Sequence, residues 1–174
     1  MKSYEEHRHA AQKDVKVSII TVSSSKYQEV NNGKKADDKS GEIISEMVKK
    51  AGYQIVSQKI INDDIKMIRL TFFKDIHTKN ADVVILTGGT GISHRDVTIE
   101  SLRPLFDKEL EGFGEIFRSI SFQQVGSPAH LSRATAGVIS NRLVYCLPGS
   151  PNAMEPALKI ILPELPHALS MAKK

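Results

Sequence analysis

The feature that most constrains the fold is the alternation of strand-like and helix-like patterns in the first half of the chain. Residues 15–22, 53–61 and 81–86 read as strands, and the first and third are apolar on both faces, as buried parallel strands are. Residues 40–52 and 63–78 lie between them and repeat apolar side chains at helical spacing. The β-α-β-α-β order predicts right-handed crossovers and a mostly parallel sheet covered on both faces. The predicted fold class is therefore α/β.

The remaining segments are less regular. We predict helices over residues 97–110 and 112–122, and two strands around a polar turn within residues 136–149. Residues 151–169 are helical in pattern but are interrupted by Pro156, Pro163 and Pro166, so this helix must bend or break. The polar residues 23–38 are long for a connection, which predicts a functional or flexible loop.

Length and composition limit the class of protein. The 174 residues allow one domain, which we place at residues 15–174 after a flexible leader of residues 1–14. No apolar segment approaches the roughly 20 residues that a membrane span needs, and the leader lacks a signal-peptide core, so we expect a cytoplasmic protein without a membrane partner. The net charge of +4 is dispersed, which suits an anionic ligand and does not indicate nucleic acid. The single cysteine, Cys146, lies in an apolar strand pattern and is predicted to be a buried structural thiol.

Ligands of open parallel sheets bind beyond the carboxyl ends of the strands, at the point where the strand order reverses. This rule predicts that residues 23–40, 62–64 and 87–96 share one rim of the sheet. The last of these loops begins with Gly88, Gly89, Thr90 and Gly91, directly after a buried strand.

Glycines allow positive φ and a close approach of the backbone, so consecutive N–H groups can converge on an anion. A tight turn without a ligand is the alternative. The loop has neither the GxGxxG spacing of dinucleotide sites nor the GK[ST] of a Walker loop.

Two carboxylates, Asp63 and Asp96, are predicted just past strands on this rim. Strands lie about 4.8 Å apart, so a hydrated Mg²⁺ could span the gap left by one intervening strand. Magnesium favours one or two carboxylates together with substrate phosphates. The alternative is structural: Asp63 caps a helix, and Asp96 caps the next helix or pairs with Arg95.

Two further segments carry weaker signals. GFGE, residues 112–115, is typical of a turn followed by a helix with an acid in its first turn. LPGSPNA, residues 147–153, ends a strand with turn residues and could equally face a ligand on the rim.

Five segments together resemble a known family. They are the DKSG of residues 38–41, TGGTGISHRD of 87–96, GFGE of 112–115, SRA of 132–134 and LPGSPNA of 147–153. In this order they resemble molybdenum cofactor biosynthesis proteins of the MoaB/Mog type, the family that includes the G domain of gephyrin and of its plant counterpart. The resemblance covers about residues 15–165, and the short single-domain form is most similar to MoaB.

The resemblance implies a three-layer α/β/α fold with a mostly parallel central sheet, and a homo-oligomer, either a trimer or a hexamer of two trimers. It also implies molybdopterin adenylyltransferase activity, in which Mg-ATP donates AMP to the terminal phosphate of molybdopterin and pyrophosphate leaves. The substrates would be ATP and molybdopterin, with Mg²⁺ as cofactor.

The family's two catalytic, metal-holding aspartates match Asp63, in an NDD that departs from the usual PD[DE], and Asp96, in the RD that ends the glycine motif. The proline is replaced by Asn62. The substrate- and ATP-binding positions that the motifs imply are Ser40, Gly88, Gly89, Thr90, Gly91, Glu115 and Ser150.

Two other functions stay open at this point. A non-catalytic paralogue in the same pathway would bind molybdopterin, or act as a scaffold, with the same pocket. A generic nucleotide- or phosphate-binding enzyme would bind no pterin.

Overall fold

The structure is a computed structural model and describes residues 14–174. It contains a six-stranded sheet with helices on both faces. The strands are β1 (Lys16–Val22), β2 (Gln54–Ile61), β3 (Val83–Thr87), β4 (Lys108–Glu109), β5 (Thr135–Ile139) and β6 (Arg142–Leu147). The α-helices are α1 (Ser24–Asn31), α2 (Lys39–Lys50), α3 (Ile65–Thr78), α4 (Thr98–Leu102), α5 (Glu111–Val125), α6 (Pro151–Ile161) and α7 (Leu165–Ala172).

The strand order across the sheet is β2-β1-β3-β6-β5-β4. Strands β2, β1, β3 and β6 are parallel, while β5 runs antiparallel to both of its neighbours. The prediction of a mostly parallel sheet is confirmed. The chain leaves β1 to add β2 on one side and returns to add β3 on the other, so the strand order reverses at β1. The carboxyl ends of the four parallel strands therefore meet at one rim, next to a switch point.

Two hydrophobic cores, one on each face of the sheet, explain why the central strands do not alternate between apolar and polar residues. In β3, Val83 and Ile85 pack in the core beneath α2, α5, α6 and α7. Their neighbours Val84 and Leu86 pack in the opposite core beneath α3 and α4. All four side chains have no exposed surface. A strand buried on both faces is therefore predominantly apolar and shows no polar alternation. The predicted three-layer fold is confirmed.

The polar residues 23–38 differ from the prediction because they include a helix, α1. Its N-cap is Ser23, whose hydroxyl accepts a hydrogen bond from the Lys26 N–H at 3.5 Å. None of the residues of α1 is buried, so it has no apolar stripe that could reveal a helix in the sequence.

The predicted helix of residues 97–110 is also shorter than expected. Helix α4 ends at Leu102, a 3₁₀ turn covers Arg103–Leu105, and β4 then pairs with β5 at the edge of the sheet. Pro104 explains the change, because proline lacks the N–H donor that would continue the α-helix. The helix predicted for residues 112–122 is present but begins at Glu111, so GFGE lies inside α5 and not in a turn before it.

The proline-rich helix breaks as expected, with a 3₁₀ turn at Leu162–Glu164 between α6 and α7. Cys146 is fully buried, which raises the pKa of its thiol to about 12 and confirms the structural reading. Apart from Asp14, the predicted leader lies outside the described residues. Within residues 14–174, no helix is both long enough and apolar enough to cross a membrane.

Candidate active site

The site lies where the loops after the parallel strands meet. Thr87, at the end of β3, donates its hydroxyl to the carbonyl of Pro148 beyond the end of β6 at 2.8 Å. A Cβ placed on Gly149 would lie 3.3 Å from the Cα of Gly88, so the two loops are in direct backbone contact. The chain therefore brings LPGSPNA against the glycine loop.

The first two glycines of the loop are required by backbone geometry. Gly88 has φ +94° and Gly89 has φ +61°, which is the left-handed region that side chains disfavour. A Cβ on Gly88 would lie 2.3 Å from the carbonyl oxygen of Val22, at the end of β1. The loop thus turns sharply over the neighbouring strand, and only glycine fits there.

Three of the loop's four amides are open. The N–H of Gly88 donates to the carbonyl of Leu147 at 3.0 Å, so it is not available to a ligand. The N–H groups of Gly89, Thr90 and Gly91 have no acceptor among the described residues. Open, consecutive N–H groups are the donor set that an anion-binding nest needs.

Asp63 follows β2 and points at the glycine loop. Its Oδ2 accepts a long hydrogen bond from the Ser24 hydroxyl at 3.4 Å, while its Oδ1 is buried without a hydrogen-bond partner. A Cβ on Gly89 would lie only 2.2 Å from that Oδ1, so the glycine leaves room for the carboxylate. Asp63 does not cap α3, because Asp64 does so by accepting the Met67 N–H at 2.8 Å.

Asp96 lies against the other end of the loop. Its Oδ2 accepts the N–H of Ser93 at 3.0 Å, and a Cβ on Gly91 would lie 2.7 Å from the same oxygen. Neither structural alternative holds among the described residues: Asp96 forms no ion pair with Arg95, and the N-cap of α4 is Val97 without a side-chain bond. The two aspartates therefore flank one loop, each beside one of its glycines.

The electrostatics of the pair favour a cation. Burial raises the pKa of Asp63, hydrogen bonds from Ser24 lower it in part, and the negative charge of Asp96 raises it further. A carboxylate whose charge is disfavoured and whose buried oxygen lacks a partner is stabilised by a positive neighbour.

These donors fit Mg²⁺. The set is oxygen only, and within residues 14–174 no group of three or more acidic, His or Cys side chains forms a closed metal cage. Magnesium is commonly held by one or two carboxylates and completed by substrate phosphates. Asp63 and Asp96 are the residues that would hold it.

Comparison with known proteins decides the family. Residues 18–167 match the sequence profile of a family described as a probable molybdopterin binding domain. The chain belongs to this family. The resemblance drawn from the five motifs is confirmed.

Family members are similar along nearly the whole chain. The molybdopterin adenylyltransferase of Pyrococcus furiosus is 45% identical over 176 residues, with 98% of each chain covered. The molybdenum cofactor biosynthesis protein B of Bacillus subtilis is 41% identical over 174 residues, covering 99% of this chain and 98% of the relative. The crystal structure of the tungsten cofactor synthesizing protein MoaB from P. furiosus superposes with a TM-score of 0.83 at 45% identity, covering 94% of this chain and 100% of that one. A structure of MogA gives 0.77 at 29% identity, covering 90% and 99%.

Ser40 and Ser150, two of the positions implied by the family motifs, lie next to the glycine loop on the β6 side. The Ser40 hydroxyl is nearly buried and donates to the carbonyl of Gly149 at 2.9 Å. It therefore braces the loop that contacts Gly88. Ser150 is exposed at the N-cap position of α6, where its side chain makes no capping hydrogen bond.

Glu115, the remaining implied position, lies apart from the aspartates. It is exposed on α5 and lines a cleft of about 480 Å³ together with Arg118 and Arg133. Arg133 donates to the carbonyl of Gly91 at 2.9 Å, so this cleft opens beside the glycine loop. The structure thus places Glu115 at the edge of the site.

Sequence reasoning missed three residues of the site. Ser24 lies in a segment predicted as a loop, and no pattern marked it. Thr98, whose hydroxyl donates to the Gly88 carbonyl at 2.8 Å, lies in a region predicted only as a helix. Arg133 belongs to the SRA motif, which contributed to the resemblance but carried no assigned role.

Proposed function

We propose that this protein transfers the adenylyl group of Mg-ATP to the terminal phosphate of molybdopterin, forming adenylyl-molybdopterin and releasing pyrophosphate. The observation that carries the proposal is the convergence of Asp63 and Asp96 on one loop with three open N–H groups. The relatives named above as a molybdopterin adenylyltransferase and as cofactor biosynthesis proteins support it.

The reaction needs alignment and charge neutralisation, and no covalent group of the protein takes part. An oxygen of the terminal phosphate of molybdopterin attacks the α-phosphorus of ATP, a new P–O bond forms, and the bond to the β-phosphate oxygen breaks. The N–H groups of Gly89, Thr90 and Gly91 hold phosphate oxygens and reduce repulsion between the two polyanions. Asp63 and Asp96 would hold Mg²⁺, which would supply positive charge against the leaving pyrophosphate.

The neighbouring surfaces suit the organic parts of the two substrates. The cleft that contains Glu115 has the volume of a small-molecule site. Ser40 and Ser150 lie at the Gly88 end of the glycine loop, through the contact of Gly149 with Gly88, whereas the cleft adjoins the Gly91 end through Arg133. We propose that these two ends of the loop receive the two substrates.

The test is an ATP-dependent assay on purified molybdopterin, read as adenylylated product and released pyrophosphate. Asp63→Ala and Asp96→Ala should abolish transfer while the proteins stay folded. Asp37→Ala is the matched control, because Asp37 is an exposed acid whose carboxylate pairs with the exposed Lys39 at 3.6 Å. Undiminished turnover in both variants would reject the assigned roles. Tight pterin binding by the wild type without pyrophosphate release would instead support the binding or scaffold function.

We also propose a homo-oligomer, a trimer or a hexamer. Helix α5 and the 3₁₀ turn that follows it, Ser127–Leu131, expose four large apolar side chains that a second copy would cover. Sedimentation velocity measures the assembly directly, as a multiple of the 19.3 kDa chain, and a monomer at micromolar concentration would reject the proposal. The four side chains are Ile116, Phe122, Val125 and Leu131, each at least half exposed.

A further inference from the structure

Three carbonyl groups of the glycine loop accept hydrogen bonds from other parts of the protein, and these bonds orient the peptide groups of the loop. The carbonyl of Gly88 accepts the Thr98 hydroxyl at 2.8 Å, and that of Gly89 accepts the Thr98 N–H at 2.9 Å. A trans peptide bond points its carbonyl and the following N–H in opposite directions. Thr98 therefore fixes the direction of the Gly89 and Thr90 amides.

The third of these carbonyls belongs to Gly91, and its hydrogen-bond donor is remote in sequence. Arg133 Nη1 donates to this carbonyl at 2.9 Å, across 42 positions of the chain. The other terminal nitrogen, Nη2, pairs with Oε1 of Glu100 on α4. Because the guanidinium fork is planar and engaged at both tips, it holds the carbonyl in one orientation.

We propose that Arg133, oriented by Glu100, is a positioning residue that presents the N–H of Ile92 as a further donor to the phosphate. Fixing the Gly91 carbonyl toward Arg133 turns the Ile92 N–H in the opposite direction. That N–H has no acceptor among the described residues, and the Ile92 side chain is exposed. Arg133 acts through the Gly91–Ile92 peptide and not by touching the reacting atoms.

This inference rests on the proposed phosphate-binding role of the glycine loop. It adds to that role a residue remote in sequence, and it distinguishes Arg133 from a cation that only attracts the polyanion. A lysine would keep the charge but lacks the rigid planar fork that fixes the Gly91 carbonyl and Glu100 in one geometry.

The experiment compares Arg133→Ala and Arg133→Lys with Arg142→Ala. Arg142 is a matched control because its side chain is similarly buried and also pairs with a carboxylate, Asp82, at 2.9 Å. Asp82 lies at the opposite end of the sheet, before β3. Binding of Mg-ATP and of magnesium pyrophosphate is measured by calorimetry, with thermal midpoints and steady-state kinetics for each variant.

Arg133→Ala should weaken both ligands about tenfold or more, since the loop loses a fixed donor. The KM for ATP should rise more than kcat falls, and the thermal midpoint should fall no further than in Arg142→Ala, whose affinity stays at the wild-type value. Arg133→Lys should recover only part of the affinity.

Wild-type affinity in Arg133→Ala would overturn the positioning role. Full recovery of affinity in Arg133→Lys would also overturn it, because it would show that the positive charge alone suffices. A wild-type protein that binds Mg-ATP but transfers nothing would reject the proposed reaction while the affinity comparison still decides the role of Arg133. A wild type that binds neither ligand would reject both.

Discussion

Replacing Gly89 by alanine tests whether the glycine loop and Asp63 form one unit. At φ +61° an alanine is strained by about 1–2 kcal/mol. Its Cβ would lie 2.2 Å from Asp63 Oδ1 and 2.5 Å from Thr98 Oγ1. Relieving this overlap adds about 1–3 kcal/mol, as overpacking does elsewhere. We therefore expect the free energy of unfolding to fall by about 2–5 kcal/mol.

The same overlap should also lower the catalytic rate, in addition to its effect on stability. The Asp63 carboxylate must move by about 1 Å to reach an ordinary contact distance, and misplacements of that size cost on the order of 100-fold in rate. We expect kcat/KM for adenylyl transfer to fall by about this factor, which corresponds to about 2.7 kcal/mol of lost transition-state stabilisation.

The matched control is Gly33→Ala. Gly33 has a similar φ of +73°, but nothing lies within 4 Å of the position its Cβ would take. It should show the backbone strain of about 1–2 kcal/mol alone and keep full activity. Urea unfolding gives the stabilities, and kcat/KM is normalised to the folded fraction. Activity of Gly89→Ala within about threefold of wild type, or an equal loss in Gly33→Ala, would refute the reasoning.

Four further results are expected. The pKa of Asp63 is raised in the fold, so ionisation of this residue reduces stability as pH rises through that pKa. Asp63→Asn should therefore melt about 1–3 °C higher than wild type at pH 7 without Mg²⁺. A lower thermal midpoint would contradict the burial argument. For the same reason, Mg²⁺ affinity of the wild type should weaken as pH falls through the raised pKa, which a titration at several pH values measures. Cys146, with its pKa near 12, should resist iodoacetamide at pH 8 and react only in urea; rapid native labelling would show that the strand is accessible. Phe72→Ala should lower the free energy of unfolding by about 3–5 kcal/mol because Phe72, on α3, is fully buried in the core between this helix and the sheet. A loss below about 1 kcal/mol would place it outside the core.

The elements that the sequence predicted well are those whose residues are buried. Strands β1 and β3 carry apolar residues on both faces because both faces are covered, and helix α2 shows its stripe through Ile44 and Val48. Helix α1 was missed because it buries no residue, and β4 was missed because a two-residue edge strand has no period to detect. Burial leaves a pattern in the sequence, and exposed elements do not.

Some features of the candidate site were likewise predictable from the sequence and others were not. Position after a strand was sufficient to predict that Asp63 and the glycine loop share a rim, since strand topology fixes that relation. The direction of single groups was not predictable. The Gly88 amide is used by Leu147, and Ser40 donates to Gly149, because these bonds depend on how two loops meet in space. Arg133 and Glu100 meet only through the tertiary fold.

The most direct test of the account is a crystal structure of the protein with Mg²⁺ and a non-hydrolysable ATP analogue. We expect phosphate oxygens within hydrogen-bond distance of the amides of Gly89, Thr90 and Gly91, and a cation bound between Asp63 and Asp96. An analogue whose phosphates lie away from this loop, with the two carboxylates free of metal, would contradict the central claim.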